Sequence, residues 1–278
     1  MFNTSLYGKY NSPFYSTAKE VLSKYGHLVN WPNKQKNLSE VMNILDAGCG
    51  EGTATVTFFQ EFVKKNVENY RIVGVDFSEY MILNAKEKYN DQKSCEFEQM
   101  DLALEHFPDK YRNKFDLIYS TYCIHWINTT FWIQNFYKML KPAGQIYLIA
   151  VTKNSVIQTF KTVNQREKFS KYQDTIAFDN HFFTKINLDE WLKALLVEAG
   201  YKNINIQRIE AKARFLNKEA FTIYMKNFDC CYNHIPTNLV DDYANEVIEE
   251  LIQESSKLYP SSSEIIHLVP IILISAEK

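Results

Sequence analysis

The stretch Leu45-Asp46-Ala47-Gly48-Cys49-Gly50-Glu51-Gly52 follows an apolar run from Val41 and opens onto helix-like sequence from Thr53. Its glycines alternate as Gly-x-Gly-x-Gly, a spacing that lets a tight strand-to-helix turn bring bare backbone against a ligand. A dinucleotide fingerprint needs Gly-x-Gly-x-x-Gly and a phosphate-binding P-loop ends in Gly-Lys-Ser/Thr; this run is neither. Asp46 stands at the end of the strand and the turn carries no Lys or Arg, so the turn suits a cationic ligand better than a pyrophosphate.

Working outward, Arg71-Ile-Val-Gly-Val-Asp76 reads as a second short buried strand that ends in a carboxylate 24 residues after Gly52. A second strand places an acid there against a ribose diol, and one ionised carboxylate accepts both hydroxyl hydrogens. Ser78 then caps a helix whose apolar face is Met81, Ile82 and Ala85. Phe97-Glu98-Gln99-Met100-Asp101 alternates like a third strand, again closed by an acid, placed to accept from an adenine amino group. A nucleoside carrying both a sulfonium and an ammonium, S-adenosylmethionine, satisfies the whole pattern.

These words resemble the class I S-adenosylmethionine-dependent methyltransferases. The matching residues are Asp46, Gly48, Gly50 and Gly52 in the first motif, Asp76 in the second and Met100-Asp101-Leu102 in the third. Phe115-Asp116-Leu117-Ile118-Tyr119-Ser120 has the form of the fourth strand, and Met139 to Leu148 that of the join between fifth helix and fifth strand. The family commonly carries Pro-Gly-Gly at that join; Pro142-Ala143-Gly144 departs by one methyl group. The resemblance covers about the first 150 residues strongly. It implies a doubly wound, seven-stranded, mostly parallel α/β sheet with its last strand antiparallel and with helical lid segments. It also implies a cofactor site of Asp46, Gly48, Gly50, Gly52, Asp76, Phe77, Met100, Asp101, Leu102 and Ser120.

A single domain of 278 residues, 46% apolar, can bury a full core of that kind. Residues 1–40 read as an amino-terminal lid with a helix from Ser16 to Tyr25, and 41–152 as the cofactor-binding core. Residues 153–186 and 217–258 read as substrate-side insertions and helices. Between them, Asn187 to Glu190 form a capping pattern before a helix stopped by Gly200, followed by a strand from Ile204 to about Ala213. The apolar finish from Ile265 to Ala276 is the reversed last strand, in which Pro270 demands a bulge or a late start.

A net charge of -2 gives no electrostatic footprint for nucleic acid. Five cysteines, with Cys230 and Cys231 adjacent and no Cys-x-x-Cys, form neither a disulfide framework nor a zinc site. His181, His234 and His267 have no metal-ligand spacing, so no metal is expected. An amino terminus without a basic start or apolar core, and the lack of any run of transmembrane length, point to a cytoplasmic protein with no membrane partner. Asn128-Thr129-Thr130 reads as a helix cap rather than a glycosylation site.

The acceptor is expected at the end of the fourth strand, at Tyr122-Cys123-Ile124-His125-Trp126. The His125-Trp126 pair, with Leu6-Tyr7 and Asn11-Ser12, is similar to juvenile hormone acid O-methyltransferases and, more distantly, to trans-aconitate methyltransferases, which methylate small carboxylates. Those relatives commonly carry a glutamine in the amino-terminal segment, whereas here Phe14 or Tyr15 occupies that neighbourhood. The resemblance thus implies His125 and Trp126 as catalytic residues and Phe14, Tyr15, Tyr122 and Trp126 as contacts of a small-molecule acceptor. A carboxylate is ionised at neutral pH and needs no base. An amine or hydroxyl acceptor would use His125 as base. Ordinary packing beneath the next helix is the other reading of both residues. A catalytically silent cofactor-binding protein is a further alternative, and the sequence leaves the oligomeric state open. Aromatic residues make up 15% of the chain, and Phe14, Tyr15, Phe160, Phe178, Phe182, Phe183, Tyr224 and Phe228 are candidates to line an apolar acceptor pocket.

Overall fold

The computed structural model describes residues 12–32, 40–153, 155–172, 180–226 and 234–278. Leu6-Tyr7, Phe178, Phe228, Cys230 and Cys231, together with much of the amino-terminal lid, lie outside them.

Helix α1 (Ser12–Tyr25) precedes β1 (Met42–Ala47), a π-helical turn (Thr55–Phe59), α2 (Gln60–Asn66), β2 (Tyr70–Asp76), α3 (Glu79–Lys88) and β3 (Cys95–Gln99). Then come β4 (Phe115–Thr121), a 3₁₀ turn (Ile124–Trp126), α4 (Phe131–Met139) and β5 (Leu140–Val151). The remainder is α5 (Ser155–Asn164), α6 (His181–Thr184), α7 (Leu188–Ala199), β6 (Lys202–Phe215), α8 (Lys218–Lys226), α9 (Val240–Leu258) and β7 (Ile265–Glu277).

The strands form one sheet in the order β3-β2-β1-β4-β5-β7-β6. The pairs β1–β2, β1–β4, β2–β3 and β4–β5 are parallel; the inner strands β1, β2 and β4 are mostly buried and read as largely apolar runs, whereas β3 at the edge alternates. β7 runs against β5: Gly144 O accepts from Lys278 N (2.9 Å), and Pro270 O accepts from Thr152 N (2.9 Å), so one number rises as the other falls. Pro270 needs no break in β7, because its missing N–H faces Thr152, one residue beyond the end of β5.

Several local readings hold. The Ser78 hydroxyl accepts from Met81 N at the start of α3, and Ile82 and Ala85 are buried. Gly200 ends α7 with φ of 99°, and the Asn217 side chain accepts from Ala220 N at 2.9 Å to start α8. Two caps differ. Asn187 precedes α7, but its amide donates to the Glu190 carboxylate (3.2 Å) instead of accepting a backbone N–H. Thr130 precedes α4 without a side-chain cap bond, and the Thr129 hydroxyl donates to Ala103 O instead (3.2 Å).

The chain divides into two compact units. One comprises residues 18–150, 185–209 and 272–278 and contains every strand-end residue of the cofactor motifs. Its core is the parallel sheet with Trp132, Ile133, Phe136 and Met139 of α4, each buried side chain contributing about 1.5–3 kcal/mol. The other draws on 1–17, 151–184 and 210–271. Here the aromatic residues seen in the sequence pack on one another: Phe215, Phe221 and Tyr224 have ring centroids 4.8–6.1 Å apart, and Phe14 lies 5.2 Å from Tyr224. Phe160, Phe182, Phe183 and Tyr224 are no more than 4% exposed. Among the described residues, no helix is long and apolar enough to cross a membrane.

Candidate cofactor and acceptor site

The turn after β1 holds Gly48, Gly50 and Gly52 at φ of 81°, 56° and 77°, a region that residues with a Cβ rarely enter. Each glycine meets a different constraint. A Cβ on Gly48 would lie 2.1 Å from Cys123 Sγ, and one on Gly52 would lie 2.8 Å from the Phe97 ring. A Cβ on Gly50 would have no heavy atom within 4 Å. Two glycines therefore let the protein close on itself, and Gly50 alone turns bare backbone toward open space where a ligand can come close.

Hydrogen bonds tie that turn to the next strand. Val75 O accepts from Gly48 N (2.8 Å) and Cys49 N (2.9 Å), and Asp76 Oδ2 accepts from Gly50 N (3.0 Å). Asp76 Oδ1 accepts from Ser78 N (3.0 Å), and Asp76 O accepts from Met100 N (3.0 Å), which links the ends of β2 and β3. Burial pushes the Asp76 carboxyl above its ordinary value, while backbone N–H groups of Ser78, Gly50 and Phe77 hold it down. A carboxylate offers about four lone-pair sites, so beyond these backbone N–H groups Asp76 keeps capacity to accept from a ligand hydroxyl. Phe77, 72% exposed, stands next to it. Asp101 is exposed, with Oδ1 accepting from Ala103 N (2.8 Å), and it is flanked by the buried Met100 and Leu102.

Asp46 takes a different place from the one its sequence position suggests. It is 2% exposed, and its carboxylate accepts from the Thr55 hydroxyl at 2.6 Å, pinning the end of β1 to the π-helical turn. Burial pushes its pKa up to about 7 against the Thr55 hydrogen bond, with Asp76 adding to the rise. The bond to Thr55 makes Asp46 a clamp for the turn. Ser120 is fully buried, and its hydroxyl donates to Ala47 O at 2.6 Å, stitching β4 to β1.

At the β4 end, Tyr122 adopts φ of 55° and Cys123 packs on Gly48, so the segment carrying the acceptor candidates is braced against the cofactor turn. Trp126 is 42% exposed on the 3₁₀ turn, free of burial on much of its indole. His125 is 2% exposed, with its ring centroid 5.0 Å from that of Trp126. Burial pushes its pKa down to about 3, which makes it a very weak base. His125 is the buried member of the pair and Trp126 the accessible one. Phe14 and Tyr15 belong to the other compact unit, where Phe14 is engaged with Tyr224.

Three features were missed in the sequence. The Phe97 ring wedges against both Gly52 and Gly74, at 2.8 Å from the Cβ either would carry. Phe59 stacks on Tyr119 at 3.7 Å beneath the turn. Glu51, inside the glycine run, is buried and bound to Thr53. Only the alternation of apolar residues hinted at the first two. Among the described residues, no group of three His, Cys, Asp or Glu side chains could hold a metal.

The arrangement fits a nucleoside cofactor: an open backbone cradle at Gly50, a diol acceptor at Asp76, an exposed ring at Phe77 and a second acid at Asp101. Comparison with known proteins agrees. A family model described as a methyltransferase domain matches residues 45–146. Over 210 residues the chain is 26% identical to the juvenile hormone acid O-methyltransferase of Drosophila melanogaster, covering 74% of this chain and 68% of that one. It is 29% identical over 171 residues to the tRNA N(3)-cytidine methyltransferase METTL6 of Rattus norvegicus, covering 59% of this chain and 55% of that one. The fold is shared with phosphoethanolamine N-methyltransferase 2 of Haemonchus contortus, solved in complex with S-adenosyl-L-methionine: TM-score 0.56, 17% identity, all of this chain and 57% of that one.

Proposed function

We propose that this chain, whose residues 45–146 match the methyltransferase domain model, is a class I S-adenosylmethionine-dependent methyltransferase that methylates a small apolar or amphipathic acid on its carboxylate. The observation that carries this reading is the burial of His125. With its pKa pushed down to about 3, the one sequence candidate for a base at the β4 end is a weak proton acceptor. An amine or hydroxyl acceptor must lose a proton, whereas a carboxylate arrives as a nucleophile at neutral pH.

The cofactor supplies the activated methyl group. The residues of this chain bind and orient: Asp76 takes the ribose diol, Asp101 and Phe77 the adenine, and the Gly50 backbone admits the ligand to close range. The Trp126 indole N–H, on a side chain 42% exposed, is a candidate donor to orient the second oxygen of the acid. Positioning of this kind can supply roughly 7–11 kcal/mol of barrier reduction. The similarity to a relative named for an acid substrate supports the reading. The net charge of -2 weighs against the tRNA substrate of the other relative, since phosphate contacts need a basic face.

Incubating the chain with methyl-labelled cofactor and a panel of small acids, amines and tRNA tests the proposal. The expected product is a methyl ester, formed at a rate that stays level from pH 6 to 8. Labelling confined to amines or tRNA would overturn it.

A further inference from the structure

The glycine turn has a brace on its outer side that no cofactor motif includes. Glu51 sits between Gly50 and Gly52 and is 5% exposed. Its Oε1 accepts from the Thr53 hydroxyl at 2.7 Å, and the Thr53 oxygen in turn accepts from Lys88 Nζ (2.8 Å) and the Tyr89 hydroxyl (3.1 Å). Lys88 Nζ also lies 3.6 Å from Glu51 Oε2. Lys88 is the last residue of α3 and Tyr89 follows it. The Tyr89 ring meets Phe97 with centroids 6.3 Å apart, and Phe97 is the ring wedged against Gly52. One helix therefore begins just past Asp76 and finishes with two side chains gripping the far side of the turn.

Three successive alternate glycines give a chain many conformations to lose when a ligand binds. A buried carboxylate inside that run is costly unless paired and hydrogen-bonded. We infer that Lys88 and Tyr89 are positioning residues for the cofactor: acting through Thr53 and Glu51, they hold the turn from Gly50 to Thr53 in its binding conformation before the ligand arrives. The ammonium of Lys88 neutralises Glu51, and the two donors to Thr53 fix the hydroxyl that orients it. Neither side chain needs to touch the ligand.

The experiment uses the full chain with S-adenosylhomocysteine as the probe, titrated calorimetrically, and amide hydrogen exchange of residues 49–54 without ligand. The variants are Lys88→Met, Tyr89→Phe and Lys88→Arg, with Lys64→Met as control because Lys64 makes an exposed ion pair with Glu61 at 2.7 Å on α2, away from the turn residues. Lys88→Met should raise Kd about tenfold and speed exchange in the turn, the scale of losing a hydrogen bond to a charged group. Tyr89→Phe, which removes one hydroxyl and keeps the ring, should shift both in the same direction by about threefold. Lys88→Arg should restore both, and Lys64→Met should change neither. Wild-type affinity and exchange in Lys88→Met and Tyr89→Phe, or an equal loss in Lys64→Met, would overturn the inference. Since no acceptor takes part, the result is independent of the proposed substrate.

Discussion

Replacing Gly50 and Gly48 by alanine separates folding from binding within one turn. At Gly50 the new methyl meets nothing within 4 Å, and φ of 56° is the left-handed region an alanine enters at a cost of about 1–2 kcal/mol. Part of that is offset by roughly 0.4–1 kcal/mol from a less flexible unfolded chain. Gly50→Ala should thus lose about 1 kcal/mol of stability in urea unfolding and remain folded. Its methyl, however, occupies the space the ligand needs, and overpacking of one methyl costs about 1–3 kcal/mol, or roughly 5- to 150-fold in Kd for S-adenosylhomocysteine. At Gly48 the methyl would fall 2.1 Å from Cys123 Sγ and 2.3 Å from its Cβ, and rotating the thiol cannot relieve the clash with Cβ. Gly48→Ala should therefore lose several kcal/mol of stability from strain and overpacking together, roughly 2–5 kcal/mol. If Gly50→Ala bound the ligand within twofold of wild type, the assignment of the open cradle would fail.

Asp76→Ala should weaken S-adenosylhomocysteine by about 1.5–3 kcal/mol with little change in fold, as calorimetry and circular dichroism would report; unchanged affinity would count against the diol contact. Ala143 occupies φ of 63° near the start of β5, so Ala143→Gly should stabilise the protein by about 0.5–1 kcal/mol, read as a raised Tm. The pH dependence of stability has two opposed contributions. Asp46, pushed up to about 7 from an ordinary 3.8, stays protonated in the folded state while the unfolded chain ionises, so its contribution is lost as pH rises between those values. His125 and His267, pushed down to about 3 and about 4 by burial, contribute stability present above 6.5 and lost as pH falls. Between pH 4.5 and 6.5 the net of these groups is one proton, a rise of at most about 1.4 kcal/mol per pH unit. Asp46→Asn should roughly double that slope in urea titrations, and an unchanged slope would refute the buried, protonated Asp46.

The parts of the site that could be read from the sequence are those where backbone geometry leaves few choices. Only glycine enters the φ values at positions 48, 50 and 52 freely, and an acid that closes a buried parallel strand, as Asp76 does, ends at the sheet's carboxyl edge. The doubly wound, mostly parallel sheet was legible because alternating strands and helices joined by right-handed crossovers admit few alternatives. What the sequence could not show depends on partners far away in the chain. Ser120 reads as a polar residue at a strand end, and only pairing of β4 with β1 reveals that Ala47 O takes its proton. The 2.6 Å bond from Thr55 to Asp46 depends on a π-helical turn that no residue pattern announces. His125 and Trp126 are adjacent, yet one is buried and the other exposed, because a 3₁₀ turn points successive side chains in different directions. The Asn187 cap failed for a similar reason: Glu190 offered its amide a charged acceptor.

The most direct test is a crystal structure with S-adenosylhomocysteine bound. The ribose hydroxyls should lie within hydrogen-bond distance of the Asp76 carboxylate, the ligand should pack on the Gly50 backbone, and the Thr55 bond to Asp46 should persist. A ligand seated elsewhere, with Asp76 holding only Gly50 N and Ser78 N, would contradict the account.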